Sequence, residues 1–249
     1  IAPYVLDEPN AVALETLAVL AERTGVQPSA IVRFAKPFGF DGASQMQRLF
    51  RDGLISGSTT LGYSERVREF TRSVDGTAVG DPAQVLAEFI EGNILSLRNL
   101  GQVIDAAAMQ AAVQLIVAAD TVYVAGFRRS FPVAAYLAYS LHQADKKTVL
   151  IDGIGGLMRQ QVHAISRRDL LIAVSYQPYA EETVHMVEAA VAHQCPILAI
   201  SDSLVSAVAK PANQVLQVRE AEIRKFRSLS SSMCLAQALA IAYAFAASR

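Results

Sequence analysis

The stretch TVYVAGFRRSFPVAAY, residues Thr121 to Tyr136, decides the fold of this 249-residue chain. Thr121 to Val124 reads as a short buried strand. The chain breaks at Ala125-Gly126, and a helical pattern then starts near Ser130 and runs through Val133, Leu137 and Leu141. A strand, a tight turn and a helix start collect free backbone N–H groups at the positive end of a helix dipole. Such a corner attracts an anion. Arg128 and Arg129 sit inside it, and Ser130 falls where an N-cap belongs.

The same alternation repeats downstream. Strands are expected at 121–125, 148–151, 170–174, 196–200 and 214–218, and helices at 130–143, 155–164, 180–193 and 203–209. The run Leu170-Leu171-Ile172-Ala173-Val174 is apolar without interruption, so both faces of that strand are covered. This is the pattern of a parallel, doubly wound sheet in an α/β fold. The last helix, 228–247, is apolar almost all round and is expected to be buried, in the core or at a subunit interface. Ligands of such sheets bind at the carboxyl ends of the strands. Those ends carry Arg128, Arg129 and Ser130, then Asp152-Gly153, then Ser175-Tyr176-Gln177-Pro178-Tyr179. Arg128, Arg129, Ser130, Ser175, Gln177 and Tyr179 are the candidate ligand-binding residues for a small polar or anionic molecule. Ser201, Asp202 and Ser203 read as helix caps.

The part before Thr121 is helical. Pro82 opens a long amphipathic helix through Ile94 and Leu97, and another runs from Asp105 to Ala118. Residues 56–82, rich in Gly and Ser, read as a linker. In the first 60 residues, Leu14, Leu17, Ala18 and Ala21 recur at helical spacing, and Gly25 stops that helix. Pro28 suits the first turn of a second helix that carries Ile31, Phe34 and Ala35 inward. Two short helices joined by a glycine turn form a helix-turn-helix pattern. Gln27, Ser29, Arg33 and Lys36 face outward on the second helix and can reach base edges or phosphates. A third helix is expected over 43–55, burying Met46, Leu49, Phe50 and Leu54.

Composition sets bounds. The chain is 52% hydrophobic and 18% charged, with net charge −1. That provides a core but no global attraction for nucleic acid, so DNA binding would be local. The closest approach to a membrane span, Met233 to Ala247, is too short and contains Gln237. Cys195 and Cys234 lie in apolar surroundings and read as buried free thiols of a cytoplasmic protein. No His-x₃-His or Cys-x₂-Cys spacing points to a metal, no Rossmann or P-loop glycine spacing points to a nucleotide, and no cofactor is implied. The chain opens on Ile1 and an acidic, proline-containing segment, unlike a signal peptide.

The run LAERTGVQPSAIVRFAKPFGFDGASQMQ resembles the helix-turn-helix of the RpiR (MurR/RpiR) bacterial transcriptional regulators. Leu20, Ala21, Gly25, Val26, Ile31, Arg33, Phe34, Gly39, Phe40 and Gly42 carry the resemblance. The second half resembles the SIS (sugar isomerase) domain of those regulators. The resemblance implies a helix-turn-helix domain over 1–60 with its first helix mostly missing, a linker over 61–82, and a ligand-sensing, dimerising SIS domain over 83–249. It implies double-stranded operator DNA and a small effector, a sugar phosphate or related carbohydrate, as partners of a homodimer or homotetramer. An isomerase-like enzyme and a ligand-free dimerisation scaffold are the alternatives.

Three departures stand against the family pattern. Pro37 is expected to end or kink the second helix. Arg128 stands where a glycine is usual between Gly126 and Ser130. In the serine-rich loop that cradles a phosphate, Ser175 is kept, while Gln177, Pro178 and Ala180 replace a Ser, a Gly and a Thr.

Overall fold

The computed structural model describes residues 1–7, 12, 15–47, 50, 67 and 81–248. The chain divides into two compact units, residues 1–65 and 66–249. Leu14, Leu49, Leu54 and nearly all of the expected linker lie outside the described residues.

In the first unit, α1 (Ala2–Asp7) precedes α2 (Leu17–Thr24) and α3 (Pro28–Ala35). Thr16 caps α2 by accepting the N–H of Val19, and Gly25 ends it in the left-handed region at φ 67°. The Gly25 N–H bonds to the Glu22 carbonyl and the Val26 N–H to the Ala21 carbonyl. This paired closure satisfies two orphan carbonyls and turns the chain sharply into Pro28, the first residue of α3. Leu20, Ala21, Ile31, Ala35, Ala43 and Met46 are buried together. The amide of Gln47 ties the unit across itself by donating to the Val12 and Glu15 carbonyls. Pro37 acts as expected: α3 stops at Ala35 and a short 3₁₀ turn covers Lys36–Phe38. Residues 43–47 and 50 are helical.

The second unit begins with α4 (Pro82–Val103) and α5 (Ala106–Ala118). β1 (Val122–Ala125), α6 (Phe131–Gln143), β2 (Thr148–Ile151), α7 (Met158–His163), β3 (Leu170–Ser175), α8 (Glu181–Ala192), β4 (Ile197–Ser201) and β5 (Gln214–Gln217) follow. The five strands form one parallel sheet in the order β2-β1-β3-β4-β5. Alternate residues of β3 feed two cores. Leu170, Ile172 and Val174 pack with α5, α6 and the terminal helix α9 (Ser230–Ala247), while Leu171 and Ala173 pack with α7 and α8. All six residues of β3 are buried. Each fully buried Leu or Ile contributes about 1.5–3 kcal/mol, which is why this strand reads so clearly in the sequence.

Several expectations are corrected. Residues 204–211 form turns rather than a helix, because Ser206 accepts the N–H of Ala209 and Pro211 closes the segment. The expected helix at 155–164 is shortened to α7, since Gly153, Gly155 and Gly156 all take positive φ before it. The expected burial of the terminal helix in the core holds for one face, through Leu235, Ala236, Leu239, Ala240 and Tyr243. Ile241 and Phe245 are exposed. Cys195 is buried but Cys234 is exposed, and both are free thiols. The expectation that the final apolar run is too short for a membrane span also fails on length: α9 is long and apolar enough to cross one, although part of it is buried in the protein.

A hairpin of β6 (Glu222–Ile223) and β7 (Phe226–Arg227) had no sequence signal. Its turn residues Arg224 and Lys225 both have positive φ, where Asn-Gly would be usual. Arg224 reaches both carboxylate oxygens of Glu88 on α4. That tertiary fork holds in place a turn with poor local propensity.

Lys146 is buried behind β2. Its ammonium donates to the Ala119 and Val117 carbonyls at the end of α5 and lies 5.6 Å from the centre of the Tyr243 ring. Burial pushes its pKa down. Lys146→Met keeps the stem but leaves those carbonyls unpaired at the negative end of a helix. The loss expected is about 1–2 kcal/mol, a fall in Tm of roughly 2–8 °C. Thermal unfolding read by circular dichroism checks it.

Candidate functional site

The order of the sheet sets the site. β1 leads into α6 on one face and β3 leads into α8 on the other, so the chain diverges between two neighbouring strands. Such a switch point opens a crevice outside the carboxyl ends of the strands. Gly126 is buried there. A Cβ on it would lie 2.9 Å from the Ala134 Cβ, 3.1 Å from the Ser130 carbonyl oxygen and 3.2 Å from the Val174 carbonyl oxygen. The glycine is needed for space, because the β1 corner is pressed against both α6 and β3.

The corner forms one 3₁₀ turn, Arg128–Ser130, before α6 begins at Phe131. Arg128 takes a left-handed backbone, φ 54°. That explains why a glycine suits its position and shows that this chain folds without one. Its guanidinium extends toward α8 and pairs with Glu182 at 3.3 Å. Ser130 is at the N-cap position but makes no capping bond, contrary to the sequence expectation. Its backbone is already helical, with ψ −14°, so its hydroxyl is not aimed at the α6 N–H groups. Ser130 is instead buried at the corner.

Arg129 diverges from Arg128. It is half-buried and lies over the Tyr176 ring, 5.7 Å from its centroid. Among the described residues it makes no hydrogen bond or ion pair. Burial first, and the charge of Arg227 second, lower its pKa, while Glu220 and Asp202 act in the opposite direction. Tyr176 is buried, with its hydroxyl bonded to that of Ser232 at the start of α9. Burial is the main cause that raises its pKa.

The β3 loop is organised by Asp202, which follows β4. The Asp202 carboxylate accepts the Gln177 N–H at 3.0 Å and the Tyr179 hydroxyl at 3.0 Å. Arg227 stands 3.6 Å from the same carboxylate and donates to the Gln177 carbonyl at 2.8 Å. The Gln177-Pro178 bond is cis. The Tyr179 phenol is raised in pKa by burial and then by the Asp202 charge. At α9, Glu220 accepts the N–H groups of Ser231 and Ser232 at 3.2 and 2.7 Å. A carboxylate of the chain thus occupies the positive end of that helix.

Of the six residues named from sequence, Arg129, Ser130 and Ser175 lie at the paired ends of β1 and β3. Arg128 is turned to Glu182, and the Gln177 backbone and the Tyr179 hydroxyl are bound to Asp202. Sequence reasoning missed Tyr176, Asp202, Glu220 and Arg227. Asp202 was visible at a strand end but read as a cap. Arg227 and Glu220 belong to a segment whose position depends on the hairpin. In the first unit, Gln27, Ser29, Arg33 and Lys36 are all exposed along α3.

Comparison with known proteins adds a family. Residues 115–242 match the SIS domain. No curated protein matches the chain. Among solved structures, the sugar isomerase domain of an RpiR transcription factor from Sphaerobacter thermophilus is similar at 25% identity and a TM-score of 0.63, covering 66% of this chain and 92% of that one. The Vibrio vulnificus NanR protein complexed with ManNAc-6P is similar at 21% identity and a TM-score of 0.59, covering 99% and 83%. A Methanococcus jannaschii protein with an inferred 3-hexulose-6-phosphate isomerase function shares the fold at 17% identity and a TM-score of 0.51, covering 65% and 89%. With its parallel five-stranded sheet and a match over more than half of its length, this chain belongs to the SIS domain family.

Proposed function

We propose that the chain is a cytoplasmic DNA-binding transcriptional regulator of the RpiR type. Its SIS domain senses a small metabolite, a sugar phosphate or related carbohydrate. The observation that carries this reading is the arrangement of α2 and α3. A left-handed cap at Gly25 turns the chain directly into α3, whose buried side is Ile31 and Ala35 and whose exposed side presents Gln27, Ser29, Arg33 and Lys36. Side chains of these types on a short exposed helix fit a major groove, with Arg33 on guanine and Lys36 on phosphate. The similarity of the sheet domain to an RpiR transcription factor supports it.

In this reading the protein acts as a homodimer or homotetramer, so that two α3 helices meet a two-fold operator. Exposed Leu86, Ile90 and Leu95 on α4, and Phe245 on α9, supply apolar surface for the assembly. The effector acts only through a difference in affinity between two states of the assembly.

Selection of DNA fragments by the purified protein, followed by titration of the winning sequence, tests the reading. Wild-type protein is expected to select a two-fold site. Arg33→Ala is expected to weaken binding about 10- to 100-fold, from loss of one bidentate base contact. Unchanged affinity in Arg33→Ala would overturn the docking geometry. Turnover of a phosphosugar by the purified protein would replace the regulator with an isomerase.

A further inference from the structure

The Arg224–Glu88 and Arg128–Glu182 pairs differ in kind. Arg224 places two nitrogens on both oxygens of Glu88, the two-pronged geometry that locks such a pair. Arg128 does not reach that geometry. One of its nitrogens stands 3.5 Å from one Glu182 oxygen and 3.3 Å from the other, both longer than the ~2.8 Å of a well-made charged hydrogen bond. The other guanidinium nitrogens of Arg128 make no hydrogen bond among the described residues, and Glu182 Oε2 is buried without one. Thr183, the next residue, is 0% exposed and its hydroxyl also lacks a partner. The N-cap of α8, Ala180, offers no side-chain cap. This loose pair spans the mouth of the crevice, from the corner after β1 to the first turn of α8 after β3. On the α8 side it meets polar groups whose bonding is incomplete, and buried groups of that kind are uncommon.

Resting on the sensing half of the regulator reading above, we infer that the Arg128–Glu182 pair is a latch. It bridges the mouth of the crevice in the empty protein, and an anionic group of the effector, phosphate or carboxylate, opens it by drawing Arg128 away from Glu182. The backbone supplies the reach, since the left-handed φ of 54° at Arg128 sends its side chain to α8. The pair is weak enough to open. Its side chains are 61% and 34% exposed, and pairs so open to water contribute little. It also discriminates by charge. While the latch is closed, the Glu182 carboxylate stands in the first turn of α8 and repels a second anion there. A neutral ligand gains nothing from Arg128 and leaves the pair in place. An anion supplies what the pair lacks, a two-pronged partner for the guanidinium and an acceptor for the first N–H groups of α8. The closed pair belongs to the empty state and the open one to the liganded state, so the anion binds the two states unequally, as a sensor requires.

Thermal melting of the full chain against ligand concentration tests this. The probes are inorganic phosphate, glucose 6-phosphate, gluconate and neutral glucose, each over about 0.1–50 mM. Glu182→Gln leaves Arg128 without its ion pair and removes the opposing charge, so at least one anion is expected to bind it about fivefold or more tightly than wild type. The anion that responds tells a phosphate from a carboxylate. Glu182→Ala is expected to act in the same direction. Adding Arg128→Gly to Glu182→Gln is expected to erase the gain, and glycine suits the left-handed backbone at that position. Glucose is expected to behave alike in all variants, which separates an effect of charge from a general loosening of the crevice. An anion that binds wild type and folded Glu182→Gln equally overturns the latch and leaves the sensing reading intact. A gain that survives Arg128→Gly also overturns it. Absence of a shift with every anion in every variant overturns the latch as well. A shift with glucose would then keep the sensing reading, and silence from all four probes would overturn that too.

Discussion

Gly126→Val is expected to lower the stability of the sheet unit by about 2–4 kcal/mol, a fall in Tm of roughly 5–15 °C. The position has no slack. A single Cβ would already lie 2.9 Å from Ala134 Cβ and 3.1 and 3.2 Å from two backbone oxygens. Valine adds two further methyls. The atoms in the way are the Ala134 Cβ, fixed to the α6 backbone, and the carbonyl oxygens of Ser130 and Val174, so they cannot swing aside as a flexible side chain could. Relief has to come from separating β1, β3 and α6, which share the largest core of the unit. Gly126→Ala is expected to show the same effect at smaller size. Ala134→Gly is not expected to restore it, because both carbonyl contacts remain and a helical glycine costs about 1 kcal/mol by itself. Thermal and urea unfolding of the three variants measure this, and a Gly126→Val protein with wild-type Tm would show that the corner is not packed as described.

Asp202→Ala is expected to cost about 2–4 kcal/mol and to disorganise the β3 loop. The carboxylate accepts from Gln177 N–H and Tyr179 hydroxyl and stands beside Arg227. Its removal takes the acceptor from the Gln177 N–H and the Tyr179 hydroxyl at once, while Arg227 keeps Glu222 and the Gln177 carbonyl, and losing one member of such a network costs more than any single hydrogen bond contributes. The two charged side chains keep about a quarter of their surface in water, so the effect stays below that of a fully buried pair broken on one side. Asp202→Asn, which keeps an acceptor oxygen but not the charge, is expected to lose less. A second readout separates local from global damage. The Tyr179 phenol is held up by burial first and by the Asp202 charge and hydrogen bond next. In Asp202→Ala it is expected to ionise closer to the ordinary tyrosine pKa, visible as phenolate absorbance at a lower pH. Absorbance titration curves that superimpose for wild type and variant would refute the Tyr179–Asp202 contact.

The two parts of the candidate site were not equally legible. Gly126, Ser130 and Ser175 could be placed at strand ends because a buried parallel strand is an unbroken apolar run and its end is marked by the first small or polar residue. The separate fates of Arg128 and Arg129 could not. Adjacent residues in a turn point in directions fixed by one backbone torsion, and the left-handed Arg128 sends its side chain to Glu182 while Arg129 lies on Tyr176. Ser130 misled for the same reason. Its residue type favours a cap, but its backbone continues the helix instead of preceding it.

The sequence by itself determined the order of strands and helices in the sheet unit, the glycine turn between α2 and α3, and the outward face of α3. Each rests on periodicity or on a local backbone demand, and both are written in neighbouring residues. Only the tertiary structure decided that the β6–β7 hairpin exists, with Arg224 held by Glu88 from 136 positions away. It alone placed Asp202 on the Gln177 N–H, Glu220 on the Ser231 and Ser232 N–H groups, and Arg227 on the Gln177 carbonyl. Ion pairs and hydrogen bonds between distant segments leave no periodic trace, because their geometry is set by how whole elements pack. The charge balance of the site is therefore a property of the fold rather than of any one stretch of sequence.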